Sequence, residues 1–158
     1  MTIPREQLAA LDWLACALAV PSQAHLEWVG GAALLPLGER FNAVSMSARL
    51  MHAGVGTSDD DAIGDALAEL LDGPVIHNSL LHTYHALVEP CPPRRWAYGE
   101  LAPMLGTGQL LSVPAADRTG PTGLHWAVRP RTTGALCPVP AVAALVSLGM
   151  QTLTRSPR

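Results

Sequence analysis

The sequence predicts an α+β domain in which mixed or antiparallel β units are flanked by helices. Three observations carry this. Apolar residues recur at helical spacing over 4–20, 57–72 and 138–152. Short apolar runs bounded by Gly, Pro or Asn fall at 32–37, 41–46, 75–77, 83–88, 101–105, 109–113 and 124–128. Early strands, a helical middle and later hairpins suit an α+β arrangement.

In chain order, Pro4 suits the first turn of a helix over 4–20, with Leu8, Leu11, Leu14, Ala15 and Leu18 on its apolar stripe. Pro21 ends it, and Ser22 reads as the N-cap of a short second helix through Trp28. Two strands follow, Ala32–Leu37 and Phe41–Met46, with Gly38-Glu39 as a turn between them. A short helical stretch spans 48–53. Thr57-Ser58-Asp59-Asp60-Asp61 then opens the clearest helix, its acidic first turn matching the positive end of the helix dipole. Ile63, Leu67, Leu70 and Leu71 mark its buried stripe, and Gly73-Pro74 stops it. Val75–His77 and Thr83–Val88 read as a hairpin. Glu89-Pro90-Cys91-Pro92-Pro93 reads as a rigid link. Leu101–Leu105 and Gln109–Val113 read as a second pair, Leu124–Val128 as a further strand, and Pro138–Thr152 as a closing helix. The domain is expected over 4–153, with a frayed tail over 154–158.

Composition narrows the function. Hydrophobic residues make up 49% and charged residues 15% of 158 residues. The charged share is low against an ordinary ~25%, which implies apolar surface covered by a protein partner or a second copy of the chain. All ten basic residues are arginine, a bias that fits a GC-rich genome. Net charge is −3, and only Arg94-Arg95 and Arg129-Pro130-Arg131 bring basic residues close in sequence. That argues against a nucleic-acid partner, which needs a basic stripe for phosphate contacts. Cys16, Cys91 and Cys137 have no zinc-ribbon spacing. Their odd number and the lack of a signal peptide point to a reducing cytoplasm. The apolar segment Leu8–Val20 contains Asp12 and falls short of the ~20 residues of a membrane span, so no membrane association is expected.

No catalytic constellation stands out. His77, His82 and His85 cluster in sequence, but His82 and His85 point to opposite faces of a regular strand. No carboxylate or thiol lies near enough in sequence to complete a zinc site, so no metal is expected. No GxSxG elbow activates a serine, and nothing beside Cys91 lowers its pKa. Gly106-Thr107-Gly108-Gln109 precedes a strand rather than a helix, so it reads as a tight turn and not a phosphate loop. Trp126 and Tyr84 read as core aromatics.

Three motifs carry a family resemblance. Gly108-Gln109-Leu110-Leu111-Ser112-Val113-Pro114 is followed by a loop and by Thr122-Gly123-Leu124-His125-Trp126. A hairpin carries His82-Thr83-Tyr84 after the small-residue turn Asn78-Ser79-Leu80-Leu81. A strand reads Phe41-Asn42-Ala43-Val44-Ser45-Met46-Ser47. Together these resemble the bifunctional DNA primase/polymerase N-terminal domain, the prim-pol branch of the archaeo-eukaryotic primases, over residues 8–150. The chain is also similar to short, stand-alone actinobacterial proteins of that kind. The resemblance implies a prim-pol-like fold and a histidine, here His82, that positions a nucleotide phosphate.

The family's acidic pair is replaced by Ser45 and Ser47. Asn42 replaces a further acid, and Ala102 stands where another is expected, with Glu100 the nearest carboxylate. Two-metal nucleotidyl transfer needs carboxylates to hold its ions, and serine hydroxyls do not replace them. The expectation is therefore a catalytically inactive, prim-pol-like binding or interaction module with no catalytic residue, metal or cofactor. Its ligand would be a protein or a nucleotide, bound between the two β units near Ser45, Ser47, His82 and Tyr84. One alternative is an active nucleotidyltransferase with a rearranged metal site drawn from Glu100 and Asp59–Asp61. Another is a purely structural interaction subunit.

Overall fold

The computed structural model describes residues 3–155. Helices α1 (Arg5–Ala15) and α2 (Ser22–Trp28) precede strands β1 (Ala32–Pro36) and β2 (Asn42–Ser47). Helices α3 (Ala48–Val55) and α4 (Asp60–Leu71) lead to the hairpin of β3 (Val75–Asn78) and β4 (Thr83–Val88). Then come β5 (Met104–Leu105), β6 (Leu110–Pro114), β7 (Leu124–Val128) and α5 (Val139–Arg155). The strands form a five-stranded sheet in the order β5-β2-β4-β3-β7 and a two-stranded ribbon of β1 with β6. All these pairings are antiparallel.

Alternation along the strands assigns each face of the large sheet to a different core. Met46, Tyr84, His77 and His125 lie in one row across β2, β4, β3 and β7. Val44, Ala86, Val75 and Val128 lie in a neighbouring row. The apolar members of these rows pack with Leu50, Met51, Ile63, Leu67, Val142 and Val146 from the α3, α4 and α5 layer. On the other face, Ala43, Leu87, Ile76 and Trp126 pack with Leu35 and Val113 of the ribbon and with Leu11 and Leu14 of α1. The sheet is thus covered on both sides, by helices on one and by the ribbon with α1 on the other.

Helix α4 begins where the sequence predicts, with the Asp59 side chain accepting the Ala62 amide at 2.9 Å. The β3–β4 hairpin, β7 and the tight turn at Gly106–Gln109 also form as expected. Three local expectations are corrected. Helix α1 stops at Ala15 rather than reaching residue 20, because the Ala17 and Leu18 amides bond three residues back and tighten the last turn. That turn brings α2 alongside, where His25 Nε2 meets Asp12 Oδ1 at 3.0 Å. Ser22 is the first residue of α2 and gives it no side-chain cap; Pro21 occupies the cap position. The chain turns at Gly38-Glu39 as expected, the Gly38 amide donating to the Phe41 carbonyl at 3.0 Å, and the strands on either side enter different sheets, β1 pairing with β6 and β2 with β4 and β5. Likewise β5 and β6 do not pair with each other: β5 adds to β2, and β6 crosses to β1. Helix α5 continues through Thr154 and Arg155, and the rest of the expected tail lies outside the described residues.

Candidate functional site

An open cleft of about 1160 Å³ runs along the β7 edge of the large sheet. Its walls are the cap residue Asp59, the first half of α4 (Asp60, Asp61, Gly64, Asp65) and the segment Thr119–Pro121. His77, Tyr84 and His125 line it from the row described above, and Arg129 and Arg131 follow β7 at its end.

The three rings are held by register. His77 stands opposite Tyr84 on β4 and opposite His125 on β7, so one strand presents a ring to each neighbour. The His77 and Tyr84 rings stack with centroids 4.1 Å apart and planes 1° apart. His125 meets His77 edge-on, with centroids 4.8 Å apart. Its Nε2 lies 3.3 Å from His77 Nδ1, and its Nδ1 lies 3.1 Å from the Gly123 carbonyl. Gly120 brings backbone close against this ring: with φ at +105°, a Cβ there would stand 2.8 Å from His125 Cδ2.

When both rings are neutral, this chain of contacts fixes their tautomers. A carbonyl oxygen only accepts, so His125 carries its proton on Nδ1 and leaves Nε2 bare. His77 then donates from Nδ1, and its own Nε2 is left as a bare acceptor. No protein group among the described residues pairs with that Nε2, and it is not sealed off. The same holds for the Tyr84 hydroxyl. His77 is only 5% and Tyr84 only 1% exposed, and both line the cleft.

Electrostatics follow from burial. His77 is held below its ordinary pKa of 6.5 by burial first and by His125 second, with Asp60 opposing both. The Tyr84 phenol is pushed up to about 12 by burial and by the Asp60 charge. Both groups are therefore neutral at pH 7. Around them the lining carries Glu6, Asp59, Asp60, Asp61 and Asp65 against Arg129 and Arg131. That excess of three negative charges equals the net charge of the whole chain, −3. None of these side chains is ion-paired among the described residues, where His25–Asp12 is the only ion pair.

Of the residues expected to bind, Tyr84 lies in this cleft and the other three do not line it. Ser45 faces the opposite side of the sheet, directly across from His85, and its amide donates to the Pro103 carbonyl at 2.9 Å. The Ser47 hydroxyl caps α3 by accepting the Leu50 amide at 3.1 Å. His82 is exposed in the β3–β4 turn with φ at 55°, and its carbonyl accepts the Ala48 amide at 2.8 Å. The histidine beside Ser45 is thus His85, whose Nδ1 is buried without a partner, as is Thr83 Oγ1. Burial also holds His85 below its ordinary pKa. The space expected to be a cleft between the β units is largely occupied by the second core. Ala102 is buried and Glu100 exposed; Arg94 and Arg95 do not line the cleft. The Cys137 thiol, pushed up to about 12 chiefly by burial, is a core group and not a nucleophile.

Sequence reasoning weighed His77 only as a zinc ligand and passed over His125. The two are 48 residues apart and meet only through the β3–β7 pairing. A usable signal was present: the histidine of Thr122-Gly123-Leu124-His125-Trp126 alternates with a core tryptophan, which aims it at the helical face.

No helix among the described residues is long and apolar enough to cross a membrane. Comparison with family models, with curated proteins and with solved structures finds no match for this chain.

Proposed function

We propose that this chain works by binding a ligand in the His77–Tyr84–His125 cleft and does not transfer nucleotides. The observation that carries the reading is the pair of unpartnered polar tips, His77 Nε2 and the Tyr84 hydroxyl, opening from buried rings into one cleft. In the free chain only water can meet these two tips, so a ligand with matching hydrogen-bonding groups can take the place of that water while burying its own surface in the cleft.

Three observations weigh against catalysis of the prim-pol type. The Ser47 hydroxyl is committed to capping α3. Glu100 precedes β5 while Asp59–Asp61 flank β7, and these strands are the two opposite edges of the large sheet. At ~4.8 Å per strand, four strand spacings separate those edges by roughly 19 Å, too far for one metal site. Among the described residues, no group of three His, Cys, Asp or Glu is placed to hold an ion. A protein partner or a second copy of the chain remains the second reading. It is favoured by exposed Val20, Leu26 and Val29 in and beside α2, Val29 being 87% exposed.

Titration with ATP and manganese, read by NMR at the histidine rings, tests the first reading. The wild-type chain is expected to show no metal-dependent nucleotide binding and no turnover; either result would contradict the proposal. The resemblance has its own test. Ser45→Asp with Ser47→Asp puts two carboxylates on one face of β2 beside His85, and aspartate caps a helix as well as serine does. This double variant is expected to gain manganese binding. A folded variant that gains none counts against the prim-pol relationship.

A further inference from the structure

We propose that the ligand of the β7-edge cleft is an aliphatic polyamine, a chain of protonated amines, bound along α4 with one ammonium group at His77 and Tyr84. This rests on the binding reading above and goes further by naming the ligand class. Charge is the first argument. The cleft concentrates five carboxylates against two guanidiniums, and among the described residues none of the five is engaged in an ion pair. A phosphate-bearing ligand would have only Arg129 and Arg131 to set against that excess of negative charge, whereas a polycation is drawn to it.

Hydrogen-bond polarity is the second and independent argument. Buried His77 offers a bare acceptor, because its Nδ1 proton is used on His125. An ammonium group has three donors and no acceptor, so it matches that nitrogen and the Tyr84 oxygen, with the Asp60 charge close enough to act on both rings. A carboxylate or phosphate would face the His77 lone pair with lone pairs of its own.

Spacing is the third. Asp61 and Asp65 are four residues apart and fall on one side of α4, about 6 Å apart along the axis at 1.5 Å per residue. Amines separated by three or four carbons repeat on a similar scale. Arg129 and Arg131 line the same cleft just beyond the end of β7.

The test uses the whole chain and spermidine as probe, read by calorimetry and by NMR at His77 and His125. One saturable site is expected. Asp60→Asn should weaken it roughly tenfold. Tyr84→Phe, which removes only the hydroxyl, should weaken it about fivefold. Glu100→Gln, an exposed residue outside the cleft, should leave it unchanged. Equal loss in all three variants, or no loss in Asp60→Asn and Tyr84→Phe, would reveal a diffuse counterion effect and overturn the proposal. If spermidine fails but ATP or a neutral compound shifts the His77 and His125 signals, the polyamine assignment falls and the cleft remains a binding site. If neither spermidine nor a mixed library of neutral and anionic compounds shifts them, both readings fall.

Discussion

Trp126→Ala is expected to cost about 4 kcal/mol, within the range for deleting a large aromatic from a core. Trp126 is 2% exposed and belongs to the core between the two β units. Its indole N–H donates to the Pro114 carbonyl at 3.1 Å, so this strand of the large sheet is tied to the ribbon strand β6. Its backbone amide donates to the Arg118 carbonyl at 2.7 Å, fixing the loop that leads into the cleft. The variant therefore loses ring burial, leaves a cavity and strands a buried carbonyl. For a domain of this size, the loss corresponds to a melting temperature lower by roughly 10 °C. Urea denaturation followed by circular dichroism measures it. Trp126→Phe, which keeps an aromatic ring but loses the hydrogen bond, should cost clearly less. A loss under about 1 kcal/mol for Trp126→Ala would mean that the ribbon is not packed on the sheet as described.

Gly73→Ala is expected to cost about 3 kcal/mol, at the upper end of ordinary overpacking. Helix α4 ends with Asp72 in the left-handed conformation, at φ 48°, and the chain turns at once into β3. A Cβ on Gly73 would press on the Cys137 amide nitrogen, would stand 2.6 Å from the Leu136 carbonyl carbon and 2.8 Å from Cys137 Cα. These are backbone atoms, so no side chain can rotate away. The Cys137 amide donates to the Leu87 carbonyl at 2.7 Å and the Cys137 thiol to the Pro74 carbonyl at 3.4 Å. Making room would disturb the point where three segments meet. Thermal melting checks this, and a change within experimental error would show that the 136–137 segment is not seated against the turn.

The two sites explain why some of the molecule was legible in the sequence and some was not. Periodicity located α4, α5, the β3–β4 hairpin and β7, because each is set by a local pattern of buried side chains. Asp59 identified its own helix because capping is local chemistry. Pairing across distance was not legible. Gly38-Glu39 looks like the turn of a hairpin, yet β1 finds its partner in β6, more than seventy residues on. Met104-Leu105 looks like the mate of the following strand and instead joins β2. The candidate site suffers most from this. Tyr84 lines a cleft on the helical face and not the one expected between the β units, and its ring partners are chosen by register. His82 was the histidine the family resemblance pointed to, and strand geometry sets His77 and His125 beside Tyr84 instead. Ser47 seemed a relic of a metal site, and the end of β2 uses it to start α3.

The Gly123 carbonyl, His125 and His77 form one oriented chain that leaves His77 Nε2 bare in the cleft. A ¹⁵N NMR titration of the imidazole nitrogens tests it most directly. At pH 7 both His125 and His77 are predicted to be protonated on Nδ1. His77 is further predicted to titrate below its ordinary 6.5, because burial, chiefly, and His125 disfavour its charged form. A His77 protonated on Nε2 at pH 7, or one that titrates at or above 6.5, would contradict the account.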